Sequence, residues 1–321
     1  MSVYPLLLSP TIKNNLWGGT RLISEYGYQT TEPIAAEAWL LSCHKDGASF
    51  VVNGPLAGKA LPEVLELWGE KVLGQKAAAF PYFPLLLKLI DAKDTLSVQV
   101  HPNDEYAMRV EGEFGKTEMW YVVDCEPGAQ LIYGFNQTLS KAEFEKRIEE
   151  NTLPEVCNYV TVHPGDVFFI EAGTLHAIGN GILIAEIQQN SNTTYRVYDY
   201  GRLGADGKPR DLHIQKAVDV TETIPPKRPY GAIGETIDVS GGQLRPLASC
   251  DLFSCEHRTV TSSMVLCKKD TFQSVLVLSG TATVSCNETE TFTVKKGDSL
   301  FIPAEAELTL CGKAEFLYSY L

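Results

Sequence analysis

Gly165 to Ile178 reads GDVFFIEAGTLHAI, and 132 positions later Gly297 to Leu310 reads GDSLFIPAEAELTL. Both copies begin Gly-Asp, continue as an apolar strand and then turn. A unit repeated at that distance implies that the two halves carry the same supersecondary element. The stretches around the copies are of one kind. EMWYVVDCEPGAQLIYG, GILIAEIQQN and SVLVLSGTATVSC read as short strands separated by Gly, Pro, Asn and Asp, at the spacing of a sandwich or barrel. The segment ETIPPKRPYGAIGE, rich in Pro and Gly, lies between the copies and reads as a linker. The expectation is a mainly β chain, with a larger unit over 1–228 and a smaller one over 229–321.

Helices read as inserts, over about 54–80 and 139–151. Pro62 sits where a first helical turn tolerates it, and Val64, Leu65, Trp68 and Val72 mark a helical stripe. Ser140 followed by Glu143 is a capping-box pattern opening KAEFEKRIEE. Asp211 is placed to cap LHIQKAVDV.

Composition narrows the partners. With 321 residues and 44% hydrophobic content the chain can bury a sizeable core. Lys and Arg total 27 against 40 Asp and Glu, a formal charge of -13, which argues against nucleic acid or an anionic membrane. To bind an anion, such a protein must gather its few cations in one place. No run approaches the roughly 20 apolar residues of a membrane span, and the start shows no basic leader. The eight cysteines include no C-x-x-C pair and read as reduced thiols. A cytoplasmic protein is expected.

The chemistry gathers in the first half. In LSVQVHPND, strand alternation puts Ser97, Gln99 and His101 on one face and Leu96, Val98 and Val100 on the other. Glu118 enters the apolar strand EMWYVV, where a carboxylate needs a partner. His176 stands in GTLHAIG. Imidazole, carboxylate and amide are donors that zinc accepts, with a coordination position left for water or substrate. Lys116 and Trp120 share a face with Glu118 by period two, so Lys116 brings a local cation. The later stretch EIQQNSNTTYRVYDYGR adds Glu186, Arg196, Tyr198 and Asp199. In the second copy Leu308 replaces His176 and Glu305 replaces Gly173, so that copy is expected to be packing. His44, His163, His213 and His257 sit in turn, helix-start or partnerless contexts and read as structural.

Gly165, Gly173, His176 and Asn180 resemble the second motif of the cupins, with Glu171 where proline is usual. LWGG at Leu16 to Gly19, LSVQVHPND, GKTEMWYV, GTLHAIGNG and TTYRVYDYGR together resemble the type I mannose-6-phosphate isomerases in their short bacterial form. The resemblance implies two cupin-type double-stranded β-helix (jelly-roll) barrels with a small helical insertion: a catalytic barrel, then a degenerate one without metal. It implies one zinc ion per chain, held by Gln99, His101, Glu118 and His176, with water as the alternative to the Gln99 amide. It also implies a hexose 6-phosphate substrate bound by Ser97, Lys116, Arg196 and Trp17, and interconversion of mannose 6-phosphate and fructose 6-phosphate. Proton transfer between C1 and C2 through a cis-enediol(ate) would engage Arg196 and Lys116, in roles left open. Glu186, a zinc-bound water and Lys116 are the candidate bases. A monomer or weak homodimer is expected. The long forms have another sequence where this chain has RVYDYGR, so their finer contacts do not transfer. Two rivals remain at this point: a metal-dependent cupin oxygenase, and a non-catalytic sugar-phosphate-binding cupin.

Overall fold

The computed structural model describes residues 3–204, 207–286 and 291–321. Four layers follow one another. The third is a six-stranded sheet in the order Val167–Ile170, Glu118–Cys125, Ile182–Gln189, Leu85–Ala92, Glu37–Leu41, Thr11–Lys13. Every residue of Leu85–Ala92 and Ile182–Gln189 is buried, because both faces of this sheet are covered. Ile90, Trp120, Val122, Phe168 and Ile184 face a core inside the first barrel. Leu87, Leu89, Met119, Tyr121 and Ile187 face the second barrel and pack with Phe253, Phe272, Phe301 and Leu317.

The other wall of the first barrel is a five-stranded sheet, Cys157–Thr161, Gln130–Phe135, His176–Ala177, Val98–Val100, Tyr195–Tyr198. Val98 and Val100 turn outward to a core with Phe144, Ile148, Ala217 and Val218 from the helices Lys141–Glu149 and Ile214–Val220. That leaves the inward face of Val98–Val100 for its polar residue. Leu96 lies before the strand and turns into the barrel interior instead of joining Val98 and Val100.

The fourth layer is a ten-stranded sheet that supplies the second barrel and its own core around Val275, Leu300, Leu308 and Phe316. Leu6–Ser9 from the chain start pairs antiparallel with Ser299–Ile302 in this sheet. The Pro- and Gly-rich segment between the copies runs along the first barrel, where Gly231 forms a bridge with Val167.

The repeat is kept atom for atom at its turn. Asp166 Oδ2 accepts from the His163 amide at 2.8 Å, and Asp298 Oδ2 accepts from the Lys295 amide at 2.8 Å. Gly173 has φ 91°, and Glu305, its counterpart, has φ 65°, a left-handed conformation that disfavours a side chain.

The helical expectations hold in part. Leu61–Trp68 is a helix with Pro62 in its first turn, but Gly69 at φ 77° ends it, and Val72 belongs to a separate 3-10 turn. Ser140 accepts from the Glu143 amide, while the Glu143 carboxylate turns to Arg147 and leaves the box half closed. Asp211 does not cap its helix. His213 holds that position, two residues later, because its main chain is fixed to Arg196. Among the described residues no helix is long and apolar enough to cross a membrane.

Candidate active site

Strand register builds the site from both walls of the first barrel. On the five-stranded sheet Gln99 lies opposite His176 on one side and Arg196 on the other. On the six-stranded sheet Glu186 lies between Lys88 and Trp120. Period two carries Lys116 and Glu118 onto the Trp120 side. His101, Glu118 and His176 thereby bring one ligand atom each within 4.8 Å of one another, all buried.

Electrostatics identify what this cluster suits. His101 Nδ1 is 2.9 Å from the Thr193 carbonyl and His176 Nδ1 is 2.8 Å from the Thr174 carbonyl. Each Nδ1–H donates, so each Nε2 carries a lone pair, and the two Nε2 atoms lie 3.1 Å apart. Burial, then Lys116, pushes the His101 imidazole well below its usual pKa, and burial lowers His176 to about 3. Neutral rings with converging lone pairs repel each other unless a cation lies between them. Glu118 Oε1 is buried without a hydrogen-bond partner and 3.5 Å from His176 Nε2. Two imidazoles tied from behind and a carboxylate with an open oxygen fit a divalent ion with N and O preferences. Gln99 is beside them, its amide nitrogen 3.5 Å from His176 Nε2. Half a turn about Cγ–Cδ presents its oxygen.

Lys116 adjoins the cluster, its Nζ bonded to Glu118 and 3.1 Å from His101 Nε2. Its other neighbour is Glu186 Oε1 at 3.7 Å. Burial, reinforced by Glu186, raises Glu118 to about 7. Burial opposes ionisation of Glu186 too, but Lys116 and Lys88 outweigh it and hold that carboxyl down to about 2. Glu186 Oε2 accepts from Trp120 Nε1 at 2.8 Å, while Oε1 faces the Lys88 ammonium at 3.2 Å.

A cavity of about 230 Å³ opens beside these groups, lined by Trp17, Ser97, Gln99, Lys116, Glu186 and Arg196, with Asn15, Glu37, Lys88, Thr194 and Arg210 among the others. Four cations and two carboxylates line it. The sparse positive charge of an acidic chain is concentrated here. A larger groove of about 660 Å³ beneath the linker has its Arg228 and Glu171 paired with each other at 2.8 Å.

Every residue that the sequence offered as a zinc ligand, catalytic group or substrate contact borders one cluster or its cavity, whereas Tyr198 and Asp199 lie outside both. Sequence reading passed over Lys88, Glu37 and Arg210. Lys88 ion-pairs with Glu186 at 3.2 Å and Glu37 at 3.4 Å. Its signal was present: a lysine inside the apolar run LLLKLI is as anomalous as Glu118 in EMWYVV. Arg210 lies in a polar loop that gives no such contrast. His213, read as structural, supports Arg196 directly, for the Arg196 amide donates to His213 Nδ1 at 3.1 Å. In the second barrel Leu266, Gln273 and Leu308 occupy the register positions of Gln99, Glu118 and His176.

Comparison with known proteins bears on the family. Residues 6–125 match the catalytic-domain model of type I phosphomannose isomerase, and residues 245–321 match the cupin-domain model of mannose-6-phosphate isomerase. A mannose-6-phosphate isomerase of Bacillus subtilis is 40% identical over 328 residues, covering 100% of both chains. The chain belongs to the type I mannose-6-phosphate isomerase family. A family member from Streptococcus mutans is 38% identical over 299 residues, covering 93% of this chain and 92% of its own. The crystal structure of a B. subtilis mannose 6-phosphate isomerase superposes with a TM-score of 0.89 at 34% identity, covering 99% of each chain. The apo form of the Salmonella typhimurium isomerase shares the fold, with a TM-score of 0.75 at 18% identity and 99% coverage of each chain.

Proposed function

We propose that this chain interconverts mannose 6-phosphate and fructose 6-phosphate, with one zinc ion held by His101, Glu118, His176 and Gln99. The observation that carries the reading is the pair of neutral Nε2 atoms, 3.1 Å apart, that both face the Glu118 carboxylate beside a cation-lined cavity. When bound, zinc supplies Lewis acidity for the sugar's C1 and C2 oxygens. The chain's own residues supply the rest.

The cations divide by position. Lys116 is held among Glu118, His101 and Glu186, so its charge serves the enediolate end of the sugar. Arg196 bonds Ser97 through Nε at 3.3 Å and the Asp211 carbonyl through Nη1 at 3.1 Å. Its cavity neighbours are Ser97 and Arg210, a set of donors suited to phosphate oxygens. Trp17, 6% exposed, forms a rigid apolar wall of the cavity.

Glu186 is the proton carrier that the geometry favours. Its carboxyl is ionised and lines the cavity, with Oε1 facing only the Lys88 and Lys116 ammoniums at 3.2 and 3.7 Å. Lys88 and Lys116 make it a weak base in isolation. Sugar oxygens entering beside both cations compete for them and raise its basicity. None of the eight cysteines, all among the described residues, is in a disulfide, and reduced thiols suit a cytoplasmic setting.

The test is conversion of mannose 6-phosphate to fructose 6-phosphate, followed with exchange of the C2 proton into solvent. Wild type is expected to show both, and Glu186→Gln to lose both by at least about 10²-fold. Full turnover in Glu186→Gln would remove Glu186 from the role. Absence of conversion by zinc-loaded wild type would overturn the proposal.

A further inference from the structure

We infer that Asp199 is a positioning residue that fixes Arg202 and Arg210 beside Arg196 as a ready-made guanidinium clamp, and so sets the preference for a phosphorylated over an unphosphorylated hexose. The inference rests on the phosphate end proposed above.

Asp199 is 7% exposed and uses both oxygens. Oδ1 accepts from Arg202 Nη2 at 2.5 Å and from Arg210 Nη2 at 2.6 Å, and Oδ2 accepts from Arg210 Nε at 2.7 Å. Arg210 lines the same cavity as Ser97 and Arg196. Arg202 Nη1 donates to the carbonyl of Thr95, two residues before Ser97. Arg196 itself bonds Ser97 and Asp211, so the carboxylate serves the other two guanidiniums. Arg196, Arg202 and Arg210, with the carboxylates of Asp199 and Asp211 that both act on Arg196, leave a net charge near +1, which attracts a phosphate dianion. Without Asp199 the three would repel and spread. Burial, then Arg210, already lowers the Arg196 pKa.

The backbone points the same way. The Arg202 amide donates to the Asp199 carbonyl at 3.0 Å, and the residues between, Tyr200 and Gly201, have φ 57° and 68°. Positive φ at both central positions defines a type I′ turn, in which Asn-Gly is the favoured pair. Tyrosine in the left-handed slot is strained, and such strain persists where the surroundings fix the geometry. Here the ring meets Tyr198 edge-on at 4.9 Å and carries the Arg202 guanidinium over its face at 5.5 Å. The tight turn brings Arg202 back onto Asp199.

The experiment uses the full-length zinc-loaded protein and reads kcat and KM for mannose 6-phosphate, inhibition by inorganic phosphate, and kcat/KM for mannose. Asp199→Asn is expected to raise KM and the inhibition constant of inorganic phosphate about 10- to 100-fold, with kcat changed less than about 3-fold. The preference for the phosphorylated sugar falls by the same factor. Arg210→Gln gives about 10-fold on the same constants, and Asp199→Glu recovers part of the loss. If Asp199→Asn does not fold, Arg210→Gln decides alone, since that side chain is 29% exposed. Unchanged phosphate inhibition in variants with wild-type Tm, or a loss confined to kcat, would overturn the inference. If wild type converts no mannose 6-phosphate, the functional reading falls separately, and calorimetric binding of inorganic phosphate to wild type and both variants still decides the clamp.

Discussion

His101 and His176 show how a residue's surroundings set its use. Each donates Nδ1–H to a main-chain carbonyl, which turns Nε2 inward and fixes the tautomer. Both imidazoles are held neutral by burial, whereas an unfolded chain protonates them below about 6.5. At these two sites the unfolded state then binds more protons than the folded one, so their contribution to the stability of the metal-free protein is full above about 6.5 and is lost as pH falls below it. His176→Leu, the residue that the second copy carries at 308, removes one of these groups. We expect it to abolish zinc binding and activity while flattening the fall of Tm between pH 6.5 and 4 in metal-free protein, as thermal melts across that range would show. At this scale Gln99, His101 and Glu118 are legible because donors at strand period two, or a charge in an apolar run, are locally anomalous, while His176 is legible through its spacing from Gly165 and Gly173 in the cupin-like motif. Lys88 carried the same anomaly and was passed over. Arg210 had none, because a polar residue in a polar loop gains its meaning only from Asp199 and the cavity.

At the level of elements, the two copies of the Gly-Asp unit are a comparison built into one chain. Gly173 and Glu305 occupy the same left-handed slot, but a Cβ on Gly173 would lie 2.9 Å from the Val220 carbonyl oxygen. Glu305→Gly removes side-chain strain and is expected to stabilise the protein by about 1 kcal/mol, seen as a higher Tm. Gly173→Ala adds strain three residues before His176. It is expected to destabilise by about 1 to 2 kcal/mol and to weaken zinc affinity measured by competition with a chelating dye. A neutral Gly173→Ala would contradict the equivalence of the turns. Strand and repeat patterns carried most of this level, since period two and Gly-Asp turns are local. Helix ends carried less. Gly69 broke the stripe before Val72, and His213 displaced Asp211 as the capping position because a hydrogen-bonded partner 17 residues away fixed the chain there.

Across the whole molecule the six-stranded sheet is the element that everything else uses. One face gives the cavity wall Lys88 and Glu186, and the other packs on the second barrel through Leu87, Met119 and Phe169. The barrel without the histidine cluster therefore backs the one that carries it, keeping the strands of Glu118 and Glu186 from shifting. The chain start takes part as well, through Leu6 opposite Phe301. Leu6→Ala, at a fully buried position, is expected to cost about 2 to 5 kcal/mol and to lower Tm, although it lies outside the cavity. This exchange of an N-terminal strand into the C-terminal sheet left no mark in the sequence, because pairing over almost 300 residues has no local period. The family resemblance supplied the two barrels. The layer order came from which alternate residues of LLLKLIDA meet which core.

The central claim is that the His101, Glu118 and His176 cluster binds the ion on which hexose phosphate isomerisation depends. A coupled assay of fructose 6-phosphate formation from mannose 6-phosphate, before chelation, after it, and after return of one equivalent of zinc, tests this directly. The expected result is loss of activity on chelation and recovery at one zinc per chain, with His176→Ala recovering nothing. Undiminished turnover in the chelated protein, or recovery of His176→Ala to the wild-type rate, would contradict it.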